Sequence, residues 1–492
     1  MISPYLVAFV LLAYFGMLML VSRITSRKAG NEAFFTANRK SPWYVVAFGM
    51  VGASLSGVTF ISVPGWVGDT QFSYMQMVLG YLVGYWFIAN FLLPLYYKLK
   101  LTSIYTYLGD RFGIRTYKTG AFFFLISRII GASFRLYLVA IVLQIAVFEP
   151  LGWPFSFLPA VLVTVFLIWL YTRRGGIKTI VWTDMLQTVF MLLAVAISIF
   201  SIVRAMDINL PGLYETVKNS DYSQVFFFED FKHNKLHFVK MFVAGAFIAI
   251  TMTGLDQDMM QKNLTCRTLY DSQKNVFWLG IMLVIVNLFF LSLGALLYMF
   301  ANHIGFAIPE QTDYLYPKLA IGGYLGITTA IAFIIGLIAS AFSSADSALT
   351  ALTTSFSIDI LNIKEKPEED QLKIRKKVHI GMAVVLVIVI MLFRAINDSN
   401  VIQSLFDAAK YTYGPLLGFY FAGMFTKIKV QDKMMPLVAI LAPILSYLIN
   451  IVARDYFDIS IGFELLLVNG FITVLGMFIF QDRSNDETIL TP

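Results

Sequence analysis

The chain has 492 residues, 58% hydrophobic and only 14% charged, with a mean hydropathy of +0.73. Apolar runs of about 18 residues or more recur from end to end, which excludes a soluble enzyme and points to an integral membrane protein. The net charge of +7 would suggest nucleic acid in a soluble chain, but here the placement of the basic residues matters more than their sum, and the single cysteine, Cys266, excludes an intramolecular disulfide or a thiolate metal cluster.

Hydropathy predicts an all-α bundle of about thirteen spans, at roughly 4–22, 42–66, 74–97, 119–148, 154–171, 179–203, 238–260, 275–301, 323–357, 379–394, 398–425, 435–452 and 459–481. The first opens at Pro4 with no basic segment before it and no cleavage motif after it, so it reads as a retained span and not as a signal peptide. With the N-terminus outside, the loops 23–41, 98–118, 172–178, 261–274, 361–378 and 426–434 and the tail face the cytoplasm. They hold most of the 37 Lys and Arg, as the positive-inside rule requires, and an odd span number then puts the C-terminus inside. The longest polar segments are an outer loop at 204–237 and an inner linker at 365–377, so function is expected inside the bundle.

The second span, FGMVGASLSGVTFISVPGWVG, carries Gly49, Gly52, Gly57, Pro64 and Gly65 among small hydroxylated residues. Small residues pack helices closely in membranes, and that reading stands beside a sharper one, a broken helix whose carbonyls line a site. In the third span, Gln76 and Tyr81 are candidates for lining a cavity. In the fourth, Arg135 is either a structurally paired arginine or a fork for a substrate carboxylate, since guanidinium matches carboxylate in bidentate geometry. Arg128, two turns earlier, is expected to reach toward the inner interface. Asp184 is an intramembrane acid about one turn into the sixth span.

His233 and His237 show i, i+4 spacing but lie in the outer loop without a third ligand, which favours a solvated loop over a metal site. The seventh span, FIAITMTGLDQDMMQ, is interrupted around Gly254. It lies five spans after the second, as the first helices of two five-helix units would, and interruptions at matching places point to a transporter with inverted repeats. In the ninth span Ser340, Ser343, Ser344 and Ser347 stand at i, i+3, i+4 and i+7, one hydroxyl stripe, with Asp346 beside it. A mid-bilayer carboxylate costs at least about 2.5–3.5 kcal/mol unless a cation or proton accompanies it. Hydroxyl, carbonyl and carboxylate oxygens suit a small hard cation, so Na⁺ is expected, with a proton as the alternative. Lys410, three residues after Asp407 in the eleventh span, reads as a local ion pair.

An intramembrane enzyme is disfavoured: the spans contain no HExxH, no GxGD and no Ser/His pairing. A receptor would need an output module, and only about a dozen residues follow Phe480. A channel remains open on composition alone.

Four stretches carry a resemblance: GASLSGVTFISVPGWVG at 52–68, GGIKTIVWTDMLQTVFML at 175–192, GLDQDMMQKNLTCRTLYDSQK at 254–274 and SSADSALTALTTSFSIDI at 343–360. Through them the chain resembles the sodium/solute symporter family of sodium-coupled sugar, proline, sialate, iodide and vitamin carriers. The resemblance implies a thirteen-helix protein of the leucine-transporter type, functional as a monomer, with ten core helices and spans 2–6 and 7–11 as inverted repeats. The expected divisions are an accessory segment 1–41, a first repeat 42–204, the outer loop 205–237, a second repeat 238–425 and accessory spans with an inner tail 426–492. It further implies a common sodium site at the carbonyls of Gly52 and Leu55 with Ser340, Ser343 and Ser344, and a second cation at Asp184, Ser343, Asp346 and Ser347, where Asp346 replaces the more usual hydroxyl. Sugar carriers have polar side chains at the places of Val78, Ala249 and Ala409, which disfavours a glucose-like substrate. Sialate carriers use an arginine in the helix of Arg135 with hydroxyls of the broken helix, here Ser54, Ser56 and Thr59. The expected function is Na⁺-coupled symport of an organic anion such as an acidic sugar by alternating access, the alternative being a neutral sugar, polyol or amino acid coupled to Na⁺ or H⁺.

Overall fold

The computed structural model describes residues 3–26, 31–153, 157–396 and 401–482. The expected starts of the fifth and eleventh spans at 154–156 and 398–400, the inner-loop residues 27–30 and the tail from 483 lie outside them. The principal helices are α1 (Pro4–Thr25), α2 (Trp43–Thr70), α3 (Tyr74–Lys98), α4 (Ile114–Leu143), α5 (Phe157–Gly175), α6 (Ile177–Ala205) and α7 (Phe238–Gly254, resuming as Gln257–Asn263). They continue with α8 (Leu269–His303), α9 (Gly326–Ile360), α10 (Glu368–Ile396), α11 (Val401–Thr412, resuming as Gly414–Phe425), α12 (Met435–Phe457) and α13 (Leu465–Ile479).

Among the described residues, nine helices are long and apolar enough to cross a bilayer, and the bent pair of α7 makes a tenth. The apolar pieces in α5, in the second half of α11 and in α13 fall where spans are expected but are shorter than a full crossing. Thirteen crossings are therefore an expectation that these lengths do not establish. Two further departures concern polar segments. The linker at 365–377 is helical from Glu368 onward, its acids Glu368, Glu369 and Asp370 sitting in the first turn of α10 where the helix dipole favours them. The eleventh span is two helices meeting at Tyr413, with Pro415 in the first turn of the second.

The centre of the bundle is α2, in which an 18-residue apolar stretch is 89% buried, against 28% for the corresponding stretches of α1 and α12. It packs on α6, α8 and α9, and α9 packs in turn on α6. Both expected interruptions are present. In α2 the helix breaks at Ser56, with φ 54 and ψ 175, a conformation that costs a non-glycine residue strain energy. The neighbouring glycines do a different job: a Cβ on Gly52 would fall 2.4 Å from Thr188 Oγ1 of α6, and one on Gly57 would fall 3.1 Å from Ala341 Cβ of α9. Close packing and a broken helix thus hold together, on adjacent residues.

In α7 the axis bends by 71° after Gly254. The carbonyls freed there are not left bare: Tyr96 Oη donates to Gly254 O and Tyr105 Oη to Leu255 O, each at 2.9 Å. Asp256 caps the resumed helix, its Oδ1 accepting from the amides of Asp258 at 2.9 Å and Met259 at 3.2 Å. Its Oδ2 accepts from Tyr413 Oη at 2.6 Å and lies 3.8 Å from Arg128 Nη1, while Arg128 Nη2 pairs with Asp258. Arg128 is therefore buried between α4 and the break of α7, and does not reach the inner interface as expected. Its stem is too deep in the bundle to snorkel, and two acids two residues apart give it a partner nearby.

Replacing Arg128 with Gln leaves Asp256 and Asp258 buried without their cation, so folded stability should fall by roughly 3–5 kcal/mol, and Arg128→Lys should cost less. Thermal unfolding of the purified variants reads this, and an unchanged melting temperature in Arg128→Gln would rule out the pairing. Where α3 crosses α7, a Cβ on Gly245 would meet Met77 O at 2.1 Å. Gly245→Val should accordingly cost about 1–3 kcal/mol or more through overpacking. A variant as stable and monodisperse as the wild type would show that the helices do not touch there.

Candidate functional site

Local sequence places the hydroxyls of α9: a run rich in Ala, Leu and Ile keeps the helix regular, and its serines recur on one face. Tertiary packing lays that face against the turn of α2 just before the break. Ser344 Oγ donates to Ala53 O at 3.1 Å, Ser340 Oγ donates to Leu337 O at 2.8 Å, and Gly52 N donates to Thr188 Oγ1 at 3.2 Å. Ser340, Ser343 and Ser344 are fully buried, and Leu55 lies one residue before the break. Hydroxyls and helix-end carbonyls with no nitrogen or sulfur among them form a donor set that fits a small hard monovalent cation.

One turn further along α9 lies a charged cluster. Ser343 Oγ donates to Asp184 Oδ1 at 2.8 Å, joining the two groupings. Asp346 Oδ2 accepts from Tyr171 Oη of α5 at 2.7 Å. The surprise is Lys262. The sequence reading counts it among the basic residues of an inner loop, whereas it is 1% exposed on the resumed half of α7, its Nζ 2.7 Å from Asp184 Oδ2 and 3.0 Å from Ser347 Oγ. The reason is the bend itself, which turns the segment after Asp256 back into the bundle. Lys262 thus links Asp184 and Ser347, Ser343 is tied to Asp184, and Asp346 is held by Tyr171.

Beside the break of α2 is a cavity lined by Ser54, Ser56 and Thr59, by the aromatic faces of Tyr74, Tyr81, Tyr85 and Phe406, and by Arg128 and Arg135. Tyr81 Oη shares a hydrogen bond of 3.1 Å with Tyr74 Oη. Arg135 is 5% exposed, and its Nε and Nη1 find no hydrogen-bond partner among the described residues. Both are N–H donors, and an acceptor oxygen would satisfy either of them. Gln76, expected on the cavity, is not there: its amide donates to Ser73 O and Leu236 O and accepts from Phe227 N, so it ties the outer loop to α3. Sequence reasoning passed over Asn287 of α8 and Thr253 of α7, which also line the cavity. A lone amide in the apolar run LVIVNLFFL was the available signal for Asn287. Elsewhere, Lys410 pairs locally with Asp407 at 2.5 Å. His233 pairs with Asp230 and Asp458, and His237 caps α7 by accepting from Val239 N at 3.2 Å.

Comparison with known proteins agrees with this geometry. Residues 34–431 match the model of the sodium:solute symporter family. The chain is 24% identical to the sodium/sialic acid symporter NanT of Aliivibrio fischeri, over 97% of this chain and 94% of that protein. It is 23% identical to the sodium/sialic acid symporter SiaT of Proteus mirabilis, over 85% of this chain and 84% of the other. Its fold is that of a substrate-bound, outward-open Na⁺-coupled sialic acid symporter, with a TM-score of 0.81 at 20% identity over 96% of this chain and 97% of that one. The family match covers most of the chain, including both broken helices and the hydroxyl face of α9, and the chain belongs to the sodium:solute symporter family.

Proposed function

We propose that this protein imports a small carboxylate-bearing solute, an acidic sugar such as sialate, driven by sodium. The observation that carries this reading is Arg135, a buried guanidinium that lines a cavity of hydroxyls and aromatic side chains and whose Nε and Nη1 have no hydrogen-bond partner among the described residues. Aromatic faces suit the apolar faces of a sugar ring, hydroxyls suit its edges, and the guanidinium suits its acid. The sodium/sialic acid symporters among its relatives support the same substrate class.

In this reading the carbonyls of Gly52 and Leu55 with Ser340, Ser343 and Ser344 hold one sodium ion, and Ser54, Ser56, Thr59, Tyr81 and Arg135 contact the solute. The chain works as a monomer in the cell membrane, N-terminus outside and C-terminus in the cytoplasm. Repeat 42–204 and repeat 238–425 alternate about the fixed site. Sodium bound from outside draws α9 against the broken α2, which shares the cavity, so the ion favours the outward-open state and completes the solute site. With a tenfold gradient and 100 mV, each Na⁺ supplies about 3.7 kcal/mol, of which about 1.4 comes from the gradient and about 2.3 from the potential. An accompanying monoanion gives back about 2.3 kcal/mol at the same potential, so one ion leaves about 1.4 and two leave about 5 kcal/mol.

Uptake into proteoliposomes tests the reading, with sialate, its amide and its methyl ester compared under an imposed sodium gradient. The acid should be taken up saturably and the neutral analogues at least tenfold less well; equal uptake of all three would sink the carboxylate hypothesis. Arg135→Lys keeps the charge but loses the fork and should weaken the acid several-fold, while Arg135→Ala should nearly abolish uptake and leave sodium binding intact. For the ion, Ser344→Ala removes a hydroxyl that no neighbour replaces. Apparent sodium affinity should drop several-fold with little change in solute affinity at saturating sodium, and an unaltered sodium dependence would take Ser344 out of the site.

A further inference from the structure

On the flank of the bundle where α5 meets α10, away from the solute cavity, two depressions adjoin. The first is a basic pocket lined by Arg173 in the last turn of α5, by Arg375 and Lys376 of α10, and by Phe34 of the short helix Asn31–Thr36. No acid lines it, and neither Arg173 nor Lys376 forms an ion pair among the described residues. Aromatic rings position both guanidiniums: Arg173 Cζ lies 5.2 Å from the centre of the Trp169 ring, and Arg375 Cζ 4.1 Å from that of Phe34. His379, buried in the wall of the pocket, shares hydrogen bonds with Thr172 Oγ1 of α5 at 3.0 Å and Thr353 Oγ1 of α9 at 2.8 Å. The second depression is a groove lined by α5 between Leu162 and Trp169 and by α10 between Ile380 and Val387, with hydrophobic side chains throughout. Trp169 and Ile380 line both, so pocket and groove share a rim. Seven residues on each helix carry the groove about 10 Å away from the pocket, and its Phe166 and Val384 are exposed.

We infer that this flank holds an anionic phospholipid, its phosphate among Arg173, Arg375 and Lys376 and one acyl chain in the groove between α5 and α10. Three bases lining one pocket without an acid call for an anion, and a phosphate oxygen accepts charge-assisted hydrogen bonds from guanidinium and ammonium alike. The groove decides which kind of anion. A soluble phosphate has no use for it, whereas a lipid whose headgroup sits in the pocket lays a chain along it. Lipid tails are as apolar as the groove, so the groove orders one chain by packing, and the headgroup charge supplies the preference. The level is right as well: Arg173, Arg375 and Lys376 stand in the segments 172–178 and 361–378 that the positive-inside rule assigns to the cytoplasm, where the leaflet is anionic, and Trp169 stands at the rim as interfacial aromatic rings do. Through His379 and Thr353 the pocket is tied to α9, the helix that carries Ser340, Ser343 and Ser344.

The test needs neither sodium nor solute, so its outcome is separate from the transport reading. Native mass spectrometry of the purified full chain in detergent, titrated with phosphatidylglycerol or with phosphatidylcholine of the same acyl chains, counts bound lipid and gives each affinity. Wild type should hold one phosphatidylglycerol at least about tenfold more tightly than phosphatidylcholine. Arg173→Gln with Lys376→Gln, at two exposed positions, should reduce that preference at least about fivefold and leave the melting temperature unchanged. Lys427→Gln with Lys429→Gln removes the same charge from exposed positions of another inner loop and should leave the preference intact. Val384→Trp fills the groove and should weaken both lipids several-fold at an unchanged ratio. The site is overturned by a wild type without preference, by a double variant at 173 and 376 that keeps it, or by an equal loss in the variant at 427 and 429. Unchanged affinities in Val384→Trp, or full displacement of phosphatidylglycerol by millimolar glycerol phosphate, would overturn the lipid in favour of a soluble anion.

Discussion

The structure depends on one constraint: a helix interrupted inside a bilayer leaves carbonyls and amides that no water can satisfy, so the bundle must supply their partners. At the bend of α7 that supply is explicit. Tyr96 and Tyr105 serve the carbonyls of Gly254 and Leu255, Asp256 caps the resumed turn, and Arg128 with Tyr413 fixes Asp256 in place. At the break of α2 hydroxyls do this work, and Ser56 Oγ accepts from Val58 N at 3.3 Å. The hydroxyl of Ser344 reaches Ala53 O, and Ser56 sits in a strained conformation.

Charge follows the same division. Arg128 has Asp256 and Asp258, Lys262 has Asp184, and Lys410 has Asp407. A buried pair of this kind contributes little net stability, but removing one member is costly, so these pairs fix helices relative to one another. Arg135 and Asp346 are bound less completely: each is buried and each keeps polar atoms without protein partners. Arg135 lines the cavity, and Asp346 is held by the hydroxyl of Tyr171.

Ser343 joins the hydroxyl face of α9 to the charged cluster. It lies beside Ser344, which touches the turn before the break of α2, and donates to Asp184, which in turn holds Lys262 on the far half of α7. A displacement of either broken helix therefore bears on the other through a short chain of buried hydrogen bonds. The glycines at the α2–α6 and α3–α7 crossings bring backbones close enough for that chain to be direct.

The sequence by itself determined the membrane setting, the placement of most helices, the two interruptions and the hydroxyl stripe with its acids, because hydropathy, helical periodicity and glycine or proline punctuation are local properties of the chain. It located Asp184, Asp346 and Arg135 as anomalies, since a charge in an apolar run is conspicuous without any knowledge of its partners. Only the tertiary structure decided who those partners are. Lys262 stands in a polar-looking stretch that reads as a loop, and only the 71° bend folds it onto Asp184, 78 residues earlier in the chain. Arg128 and Arg135 lie two turns apart on one helix and are alike in sequence terms, yet the bend of α7 gives the first two carboxylates and leaves the second facing a cavity. Gln76 looked equally suited to a solute and is taken up by the backbone of the outer loop. The physical reason is the same in each case: whether a buried polar group is free or engaged depends on what distant segments bring within about 3 Å of it, and no local pattern encodes that distance.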